Sequence, residues 1–307
     1  RHVGLRCEIP QRVPALTLNR LCGSGFQSLI SGAEQLLLGE AKFILAGGSE
    51  NMTQVPFVLR GARTGVRLGG SPASDFLWES LTDAYADLPM GVTAENLAKK
   101  FDISREEADE YALRSQQAWA NADENGYFDN EIEPLELRGR KGTTTFDTDE
   151  GPRPNTTLEK LGSLSPVFDR DNGIVTAGNS SGITDGAGSI VMTTADEAEK
   201  HDLEPLGRLI NWGVSGCDPK IMGYGPVPAI QIALERADME LDDMELVEVN
   251  EAFAAQYLAV EKELGLDRDI TNVNGGGVSL GHPLAATGTR IMMHLLYELR
   301  RRGLRYG

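Results

Sequence analysis

The sequence predicts an α/β protein made of two similar halves, with a segment of different character inserted into the first. In each half an apolar run, a glycine turn, an amphipathic helix and a second apolar run follow one another, over residues 16–48 and again from residue 270 onward. This repeated order indicates an internal duplication. Crossovers of this kind favour a sheet with a substantial parallel part and a site at the strand carboxyl ends, near the paired turns.

The first turn holds Cys22, which ends an apolar, β-prone run from Leu16 and is followed by two glycines. The next apolar residues recur at the spacing of a buried helix face; they are Phe26, Leu29, Ile30, Ala33 and Leu37. Cys22 is therefore predicted at the entrance of a helix, where free N–H groups and the helix dipole favour an anion. We expect a thiol of lowered pKa that reacts as the thiolate, and the alternative is a buried structural cysteine.

The inserted segment begins after a second predicted strand at residues 41–48. Glycine-rich and polar stretches follow Ser49, and strand and helix alternation returns after Pro166. Within this segment, Ser104 and Glu107 have the spacing of a capping box at the start of a long helix. We interpret residues 49–166 as an inserted loop domain.

After the inserted segment, further strands are predicted, and a long helix precedes the last of them. Strands are expected over residues 189–193, 206–214 and 246–249, and another is expected to begin at Arg305. The last helix ends in three arginines before Gly303, which suits a glycine immediately after a helix and the negative end of its dipole.

Two further turn residues are candidates for chemistry. His282 lies in a Gly-His-Pro loop at a helix entrance, whereas His2, His201 and His294 lie at an end, in a charged stretch and within a helix. Asn250 stands between a short strand and a helix. Each has a structural alternative: a histidine that bonds its own loop, or an asparagine that caps a helix.

Composition excludes some classes of function. The formal net charge of -17 argues against a nucleic-acid surface, which needs basic residues. Hydrophobic content is 40%, and no apolar run is long enough to cross a membrane. Three cysteines do not form a disulfide framework, so Cys7 and Cys217 are expected to be structural. No spacing typical of zinc ligands occurs, and no metal is expected.

Seven motifs carry a family resemblance and extend over essentially the whole chain; they are Asn19–Gly25, Gly47–Met52, Thr176–Gly182, Asp218–Gly223, Asn250–Ala254, Asn274–Gly277 and Gly281–Pro283. Through these motifs the chain resembles the thiolases, a family of acetyl-CoA C-acyltransferases and acetyltransferases. The residues around position 89 are similar to the 3-ketoacyl-CoA branch of that family. The resemblance implies a thiolase fold of two duplicated halves in five layers, αβαβα, with an inserted loop domain. The corresponding domains are residues 1–48 and 167–193 for the N-terminal half, 49–166 for the loop domain and 194–307 for the C-terminal half.

The resemblance also implies a mechanism. Cys22 would attack a 3-ketoacyl-CoA and form an acyl-enzyme, while His282, expected to have a near-neutral pKa, takes the thiol proton. His282 and a water held by Asn250 would stabilise the enolate oxygen, and free CoA would then remove the acyl group. The reverse reaction condenses two acetyl-CoA molecules.

Coenzyme A is expected as a co-substrate, and no covalently bound cofactor is implied. By the resemblance, Ser181 would contact the pantetheine arm and Arg153 would lie near the nucleotide. The pocket would be lined by Met90, Phe168, Met222 and Phe253. The alternatives are ordinary core positions for the four apolar residues and a solvated charge for Arg153.

One departure from the family concerns the ends of the sequence. Thiolases have a second cysteine in a Cys-x-Gly turn after the last helix, which acts as acid and base at the α-carbon. This sequence ends at Gly307, and the family's first strand–helix unit before Arg1 is also absent. We therefore expect truncation at both ends and very weak or no turnover by the sequence as given.

Two other classes of protein remain as alternatives. A condensing enzyme of the ketoacyl-synthase class normally has two histidines around the cysteine, and here Asn250 stands at one of those places. A non-catalytic thiolase-like subunit that binds CoA thioesters has no physical need for all of Cys22, His282 and Asn250.

The assembly and the compartment are also expectations. Relatives suggest a homotetramer or homodimer. The expected compartment is the cytoplasm, with the mitochondrial matrix as the alternative.

Overall fold

The computed structural model describes residues 1–70, 72–140 and 142–307. The chain begins with α1 (His2–Arg6); a 3-10 turn at Leu21–Gly23 then leads into α2 (Ser24–Leu37) and β1 (Phe43–Glu50). The helix and strand predicted after Cys22 are therefore confirmed. The strand predicted before Cys22 is wrong: residues 16–19 have no backbone–backbone hydrogen bond to another described segment, and a strand requires a ladder partner.

The segment after β1 combines short antiparallel ribbons with two substantial helices. In chain order the elements are β2 (Phe57–Val58), β3 (Ser74–Asp75), α3 (Phe76–Ser80), β4 (Thr82–Asp83), β5 (Leu88–Pro89), α4 (Met90–Lys100), α5 (Arg105–Glu124), β6 (Leu135–Gly139), β7 (Gly142–Phe146) and α6 (Leu158–Gly162). The predicted capping box is confirmed, since the Glu107 N–H donates to the Ser104 hydroxyl and the Glu107 carboxylate accepts from the Ser104 N–H.

Strand and helix then return, ending in the longest helix of the second half. The elements are β8 (Gly186–Thr193), α7 (Ala195–Lys200), a 3-10 helix at Pro219–Tyr224, α8 (Pro226–Ala237), a 3-10 turn at Leu241–Asp243, α9 (Ala254–Leu264), α10 (Gly277–Leu280) and α11 (Leu284–Arg302). Gly303 has φ +68° after α11, as predicted for a glycine at that place.

The central sheet pairs β1 with β8 in antiparallel register, from Phe43 opposite Thr193 to Glu50 opposite Gly186. α2 and α11 pack on one face of this ribbon. The expectation of a substantially parallel sheet is not met in the described residues, where parallel pairing is a single bridge between Val247 and Thr271. β1 and β8 are separated by the whole inserted segment, so no right-handed crossover constrains them to run parallel.

A second core joins the inserted segment to the C-terminal half. Tyr111 of α5 and Tyr257 of α9 are fully buried and stack with their ring centroids 4.1 Å apart. Leu97 of α4 and Leu258 of α9 are buried in the same cluster. The inserted segment is therefore fixed against α9, which begins four residues after Asn250.

Three other strand predictions fail in the second half. Residues 246–249 form only the single bridge of Val247 with Thr271. Residues 206–214 form no strand, because their backbone has no ladder partner in the described chain; contacts there come from the Asn211 and Arg236 side chains. No strand begins at Arg305 in the structure, although the Tyr306 carbonyl accepts from the N–H groups of Glu245 and Leu246. In the described ranges, every helix is too short or too polar to cross a membrane.

Candidate active site

Asn250 and His282 are brought together from distant parts of the chain. The Asn250 Nδ2 atom lies 3.2 Å from His282 Nε2 and 3.4 Å from Nδ1. His282 is only 4% exposed, between α10 and α11. The Asn250 Oδ1 atom is buried and has no hydrogen-bond partner among the described residues. An oxygen in that state is suited to accept a hydrogen bond from water or a ligand.

The loop that carries His282 depends on Gly281. Gly281 has φ +95°, and a Cβ atom there would collide with the Thr184 hydroxyl. This glycine therefore allows the loop of residues 181–184 to approach the histidine turn closely.

The contact of His282 with Thr287 indicates which ring nitrogen carries the lone pair. His282 Nδ1 lies 2.6 Å from the Thr287 hydroxyl oxygen, which in turn lies 3.4 Å from the Pro283 carbonyl oxygen. Both contacts are satisfied when Nδ1–H donates to Thr287 and the Thr287 hydroxyl donates to Pro283. Nε2 then carries the ring's lone pair, which accepts from Asn250 Nδ2 at 3.2 Å and is the position where a proton can add.

The expected near-neutral pKa of His282 is wrong. Burial, with a further contribution from the Arg290 charge, lowers its pKa to about 4. The sequence could not show this, because the effect depends on how tightly α11 and its neighbours enclose the ring. At physiological pH the imidazole is therefore neutral, as a proton acceptor must be.

Cys22 lies in the 3-10 turn directly before α2, as the sequence predicted. The preceding residue, Leu21, has φ +47°, a left-handed conformation that branched or bulky residues rarely adopt. The Leu21 N–H donates to the Asn19 side chain at 2.7 Å, and the Arg20 N–H donates to the Ser24 hydroxyl at 2.8 Å. These two bonds hold the sharp turn that presents Cys22.

The predicted lowering of the Cys22 pKa is wrong. Desolvation raises the pKa of the thiol to about 11; a backbone N–H of the same residue opposes this, and the Glu50 charge adds to it. Enclosure of the sulfur thus outweighs the helix entrance, which sequence position alone cannot reveal. The resting group is a thiol, so it requires a base for reaction as a nucleophile.

The elements that carry Cys22 and His282 are packed together. A Cβ atom on Gly25, in the first turn of α2, would lie 2.6 Å from the Thr289 backbone nitrogen of α11. Glu50, whose charge acts on Cys22, also accepts the Ala285 N–H at 3.3 Å, at the start of α11. The hydrogen bonds of the described residues do not link Cys22 to His282 directly. The structure places both at the same end of α11, and their catalytic roles remain predictions.

Two of the predicted CoA-contact residues lie beside Asn250. The Ser181 N–H and hydroxyl both approach the Ala252 carbonyl at 3.0 Å. Ser180 forms an antiparallel bridge with Phe253. Ser181 and Phe253 therefore belong to one paired segment that begins two residues after Asn250.

The other four predicted contacts are more dispersed. Phe168 packs against the Gly91 backbone, next to Met90 at the start of α4. Met222 is 37% exposed in a 3-10 helix that packs on α4. Arg153 is exposed, and its guanidinium donates to the Glu150 and Pro152 carbonyls. Phe168 therefore lies beside the residue that follows Met90.

Sequence reasoning missed four residues around the site: Thr287, Glu50, Arg290 and Glu251. Thr287 and Arg290 follow His282 closely in the sequence, in the first turns of α11. That short separation could have predicted that they lie near the histidine ring. Glu50 is the last residue of β1, and its charge acts on Cys22. Glu251 follows Asn250 directly and is completely buried, which no pattern in the sequence indicated.

Comparison with known proteins agrees with this architecture. The model of the thiolase N-terminal domain matches residues 1–196, and the model of the thiolase C-terminal domain matches residues 203–307. The fold and the site thus define a member of one acyl-transferring class, and the chain belongs to the thiolase family.

Individual relatives extend this comparison. The mitochondrial 3-ketoacyl-CoA thiolase of Bos taurus is 55% identical over 307 residues, which is all of this chain and 77% of the relative. The crystal structure of the human mitochondrial 3-ketoacyl-CoA thiolase in complex with CoA matches with a TM-score of 0.94 and 55% identity, over 98% of this chain and 75% of that one. The Bacillus anthracis acetyl-CoA acetyltransferase matches with a TM-score of 0.96 and 48% identity, over 99% and 77%. The predicted thiolase fold is therefore confirmed.

Proposed function

We propose that this chain is an acyltransferase that cleaves 3-ketoacyl-CoA with CoA to acetyl-CoA and a shortened acyl-CoA, or condenses two acetyl-CoA molecules in reverse. The observation that carries the proposal is the contact between Asn250 and a neutral His282, at the end of α11 that packs against the Cys22 turn. Family membership and the names of both thiolase branches among the relatives support it.

Acyl transfer begins at the sulfur of Cys22. As the sulfur bonds to the acyl carbon, its proton passes to His282 Nε2, the nitrogen that Thr287 leaves free. Because the thiol pKa is raised and the histidine pKa is lowered, a separated thiolate–imidazolium pair is unfavourable before substrate arrives. We therefore expect proton transfer to accompany formation of the C–S bond.

The charge that develops on the substrate oxygen needs a donor. In cleavage of a 3-ketoacyl-CoA, the C2–C3 bond breaks and its electrons form the acetyl-CoA enolate. We propose that His282 in its protonated form and a water bound to Asn250 donate to that oxygen. One such donor contributes about 3 kcal/mol of transition-state stabilisation. C2 of the enolate then takes up the proton that His282 received from Cys22, so that acetyl-CoA leaves and His282 is neutral again.

The second half of the reaction releases the acyl group to CoA. Neutral His282 accepts the CoA thiol proton as the CoA sulfur attacks the acyl carbon, and the Cys22 sulfur leaves and recovers a proton. The same step in reverse transfers an acetyl group from acetyl-CoA to Cys22. This half-reaction uses only a nucleophile and a base.

Coenzyme A is proposed to lie along the loop and helix residues around Asn250. Ser181 would contact the pantetheine arm, Phe253, Met90, Phe168 and Met222 would line the acyl pocket, and Arg153 would lie near the nucleotide. The complex of the human relative with CoA supports binding of CoA itself. For the individual contacts, the support is the pairing of Ser181 and Phe253 beside Asn250.

The domain boundaries, assembly and compartment stay proposals. We propose residues 49–166 as the inserted loop domain, with 1–48 and 167–193 in the first half and 194–307 in the second. A homotetramer or homodimer is the proposed assembly, which light scattering can test. For the compartment, the mitochondrial names of relatives favour the matrix over the cytoplasm that the sequence suggested first.

The decisive experiment follows the acyl group. The chain is mixed with acetyl-CoA, quenched, digested and analysed by mass spectrometry. An acetyl thioester on Cys22, absent in Cys22→Ala and removed by added CoA, is the expected result. Cys217→Ala is the matched control, because this exposed cysteine lies in another segment and should not alter the label. Binding of CoA without any label on Cys22 would instead support a non-catalytic CoA-binding protein.

A further inference from the structure

We propose that Glu251 is a positioning residue that fixes the distance between Asn250 and His282. This inference rests on the proposed function for its catalytic consequence, and on the hydrogen bonds of the Glu251 carboxylate for its geometry. Glu251 follows Asn250 directly and has no exposed surface.

Each carboxylate oxygen of Glu251 accepts two hydrogen bonds. Oε1 accepts from the Tyr111 hydroxyl at 2.6 Å and from Asn272 Nδ2 at 2.9 Å. Oε2 accepts from the Ser115 hydroxyl at 2.8 Å and from the Val278 backbone N–H at 3.1 Å. A buried carboxylate with four donors is held in one orientation, because loss of any donor leaves part of its charge unpaired.

These donors tie Glu251 to three separate parts of the chain. Tyr111 and Ser115 are one helical turn apart on α5 of the inserted segment. Val278 lies in α10, which leads through Gly281 to His282. Asn272 precedes the glycine turn and also bonds both the N–H and the carbonyl of Val249, just before Asn250. The carboxylate therefore links the backbone on both sides of the Asn250–His282 contact.

The glycine turn packs directly on Glu251. A Cβ atom on Gly276 would lie 2.5 Å from the carboxyl carbon, and a Cβ atom on Gly277 would lie 2.6 Å from the Glu251 carbonyl oxygen and 3.2 Å from Asn250 Oδ1. The turn can take this position only without side chains. A shift of the Glu251 carboxylate would thus move α10, and with it the backbone that carries His282.

Glutamine cannot replace this carboxylate. The two hydroxyl donors can rotate and accept instead, but Asn272 Nδ2 and the Val278 N–H can only donate. The Asn272 amide cannot turn over, because its oxygen accepts from Val249 at 2.8 Å. One of these N–H donors faces each oxygen of Glu251, so an amide NH₂ must confront one of them whichever way it is placed.

The test measures the rate of acetyl transfer from acetyl-CoA to Cys22 in Glu251→Gln. At saturating acetyl-CoA the expected rate is about tenfold lower, since small misplacements of catalytic groups carry costs of that order or more. The half-saturating concentration should be unchanged, because Glu251 does not contact substrate. Glu95→Gln is the matched control: this buried carboxylate on α4 accepts from the Ile174 and Val175 N–H groups and touches neither Asn250 nor His282. Its rate should equal that of the unmodified chain.

A second readout does not depend on activity. The His282 ring signals in NMR spectra should move in Glu251→Gln and stay in place in Glu95→Gln. Equal rates and unmoved signals in folded Glu251→Gln would overturn the positioning role, as would equal slowing in both variants.

If Glu251→Gln does not fold, Tyr111→Phe provides a second test, because it removes one donor to Oε1. This variant should still slow acetyl transfer about threefold; an unchanged rate would overturn the inference. Absence of any label in the unmodified chain would contradict the proposed function, while the NMR comparison would still decide the role of Glu251.

Discussion

At the scale of single residues, the site depends on two opposite pKa shifts. Burial raises the pKa of Cys22 to about 11 and lowers that of His282 to about 4. Both groups are therefore uncharged at rest, and neither alone is reactive. Chemistry becomes favourable when an acyl carbonyl arrives to take up the charge that forms.

Alkylation should reveal the raised pKa of Cys22. At about pH 8, Cys22 is expected to react with iodoacetamide about a hundredfold more slowly than a thiol of ordinary pKa, since only the thiolate is nucleophilic. The reaction should accelerate up to about pH 11, and Glu50→Gln should shift this profile to lower pH by removing a nearby negative charge. Peptide mapping separates Cys22 from the exposed Cys7, which serves as the internal comparison. A profile identical to that of Cys7 would contradict the shift.

Thr287 should matter through the His282 nitrogen that it occupies. Thr287→Val removes the partner of Nδ1, so the ring can rotate or take the wrong tautomer, and acetyl transfer to Cys22 is expected to fall about tenfold. Thr289→Val is a closely matched control. It is also buried on α11, but its hydroxyl has no partner among the described residues. Equal effects of the two substitutions would show that Thr287 acts only in packing.

Much of this residue-scale picture was accessible from the sequence. Cys22, His282 and Asn250 stand out because each lies where a strand or turn meets a helix. Their pKa values were not accessible, because desolvation depends on how tightly segments from different parts of the chain enclose each group. The charges of Glu50 and Arg290 add to that effect only once the fold brings them close. The role of Glu251 could not be predicted either, because the four donors to its carboxylate come from other segments of the chain.

At the scale of elements, the close approach of α2 and α11 aligns the Cys22 turn with the His282 turn. Gly25 and Gly288 make this contact possible, because a side chain at either place would collide with the backbone of the other helix. Sequence periodicity identified both helices. It failed for the strand at residues 206–214, because an apolar run becomes a strand only where a partner offers a ladder.

Gly25→Ala tests this helix contact. A methyl group only 2.6 Å from the Thr289 nitrogen must push α2 away, which is expected to lower the free energy of unfolding by about 2 kcal/mol and to slow acetyl transfer. Gly162→Ala on α6 is the control, since open space surrounds that position and alanine favours a helix. Urea unfolding measures both. Unchanged stability in Gly25→Ala would show that the two helices are not in contact.

At the scale of the whole molecule, α5 of the inserted segment is connected to Glu251, the residue after Asn250, through Tyr111 and Ser115. The antiparallel pairing of β1 with β8 brings the two ends of that segment together. The sequence predicted the inserted segment from its composition, and motif spacing was sufficient to identify the thiolase family. The antiparallel register could not be predicted, since it is set by contacts between strands about 140 residues apart.

Acid should destabilise the molecule partly through His282. Its pKa is lower in the folded state than in the unfolded state, so the unfolded chain takes up a proton first as pH falls below about 6.5, and stability is lost down to about pH 4. Between about pH 7.5 and pH 5, the unmodified chain should lose about 2 kcal/mol of unfolding free energy that His282→Gln does not lose. His2→Gln, at an exposed site, should behave as the unmodified chain does. Parallel losses in all three would contradict the lowered pKa.

The most direct test of the account is the rate at which acetyl-CoA acylates Cys22 in His282→Gln, measured by rapid quench and mass spectrometry. We expect the unmodified chain to carry the acetyl group on Cys22, and we expect the substitution to slow its transfer by about a hundredfold or more, because the thiol loses its base. An unchanged rate in folded His282→Gln would contradict the claim that this imidazole serves the Cys22 sulfur.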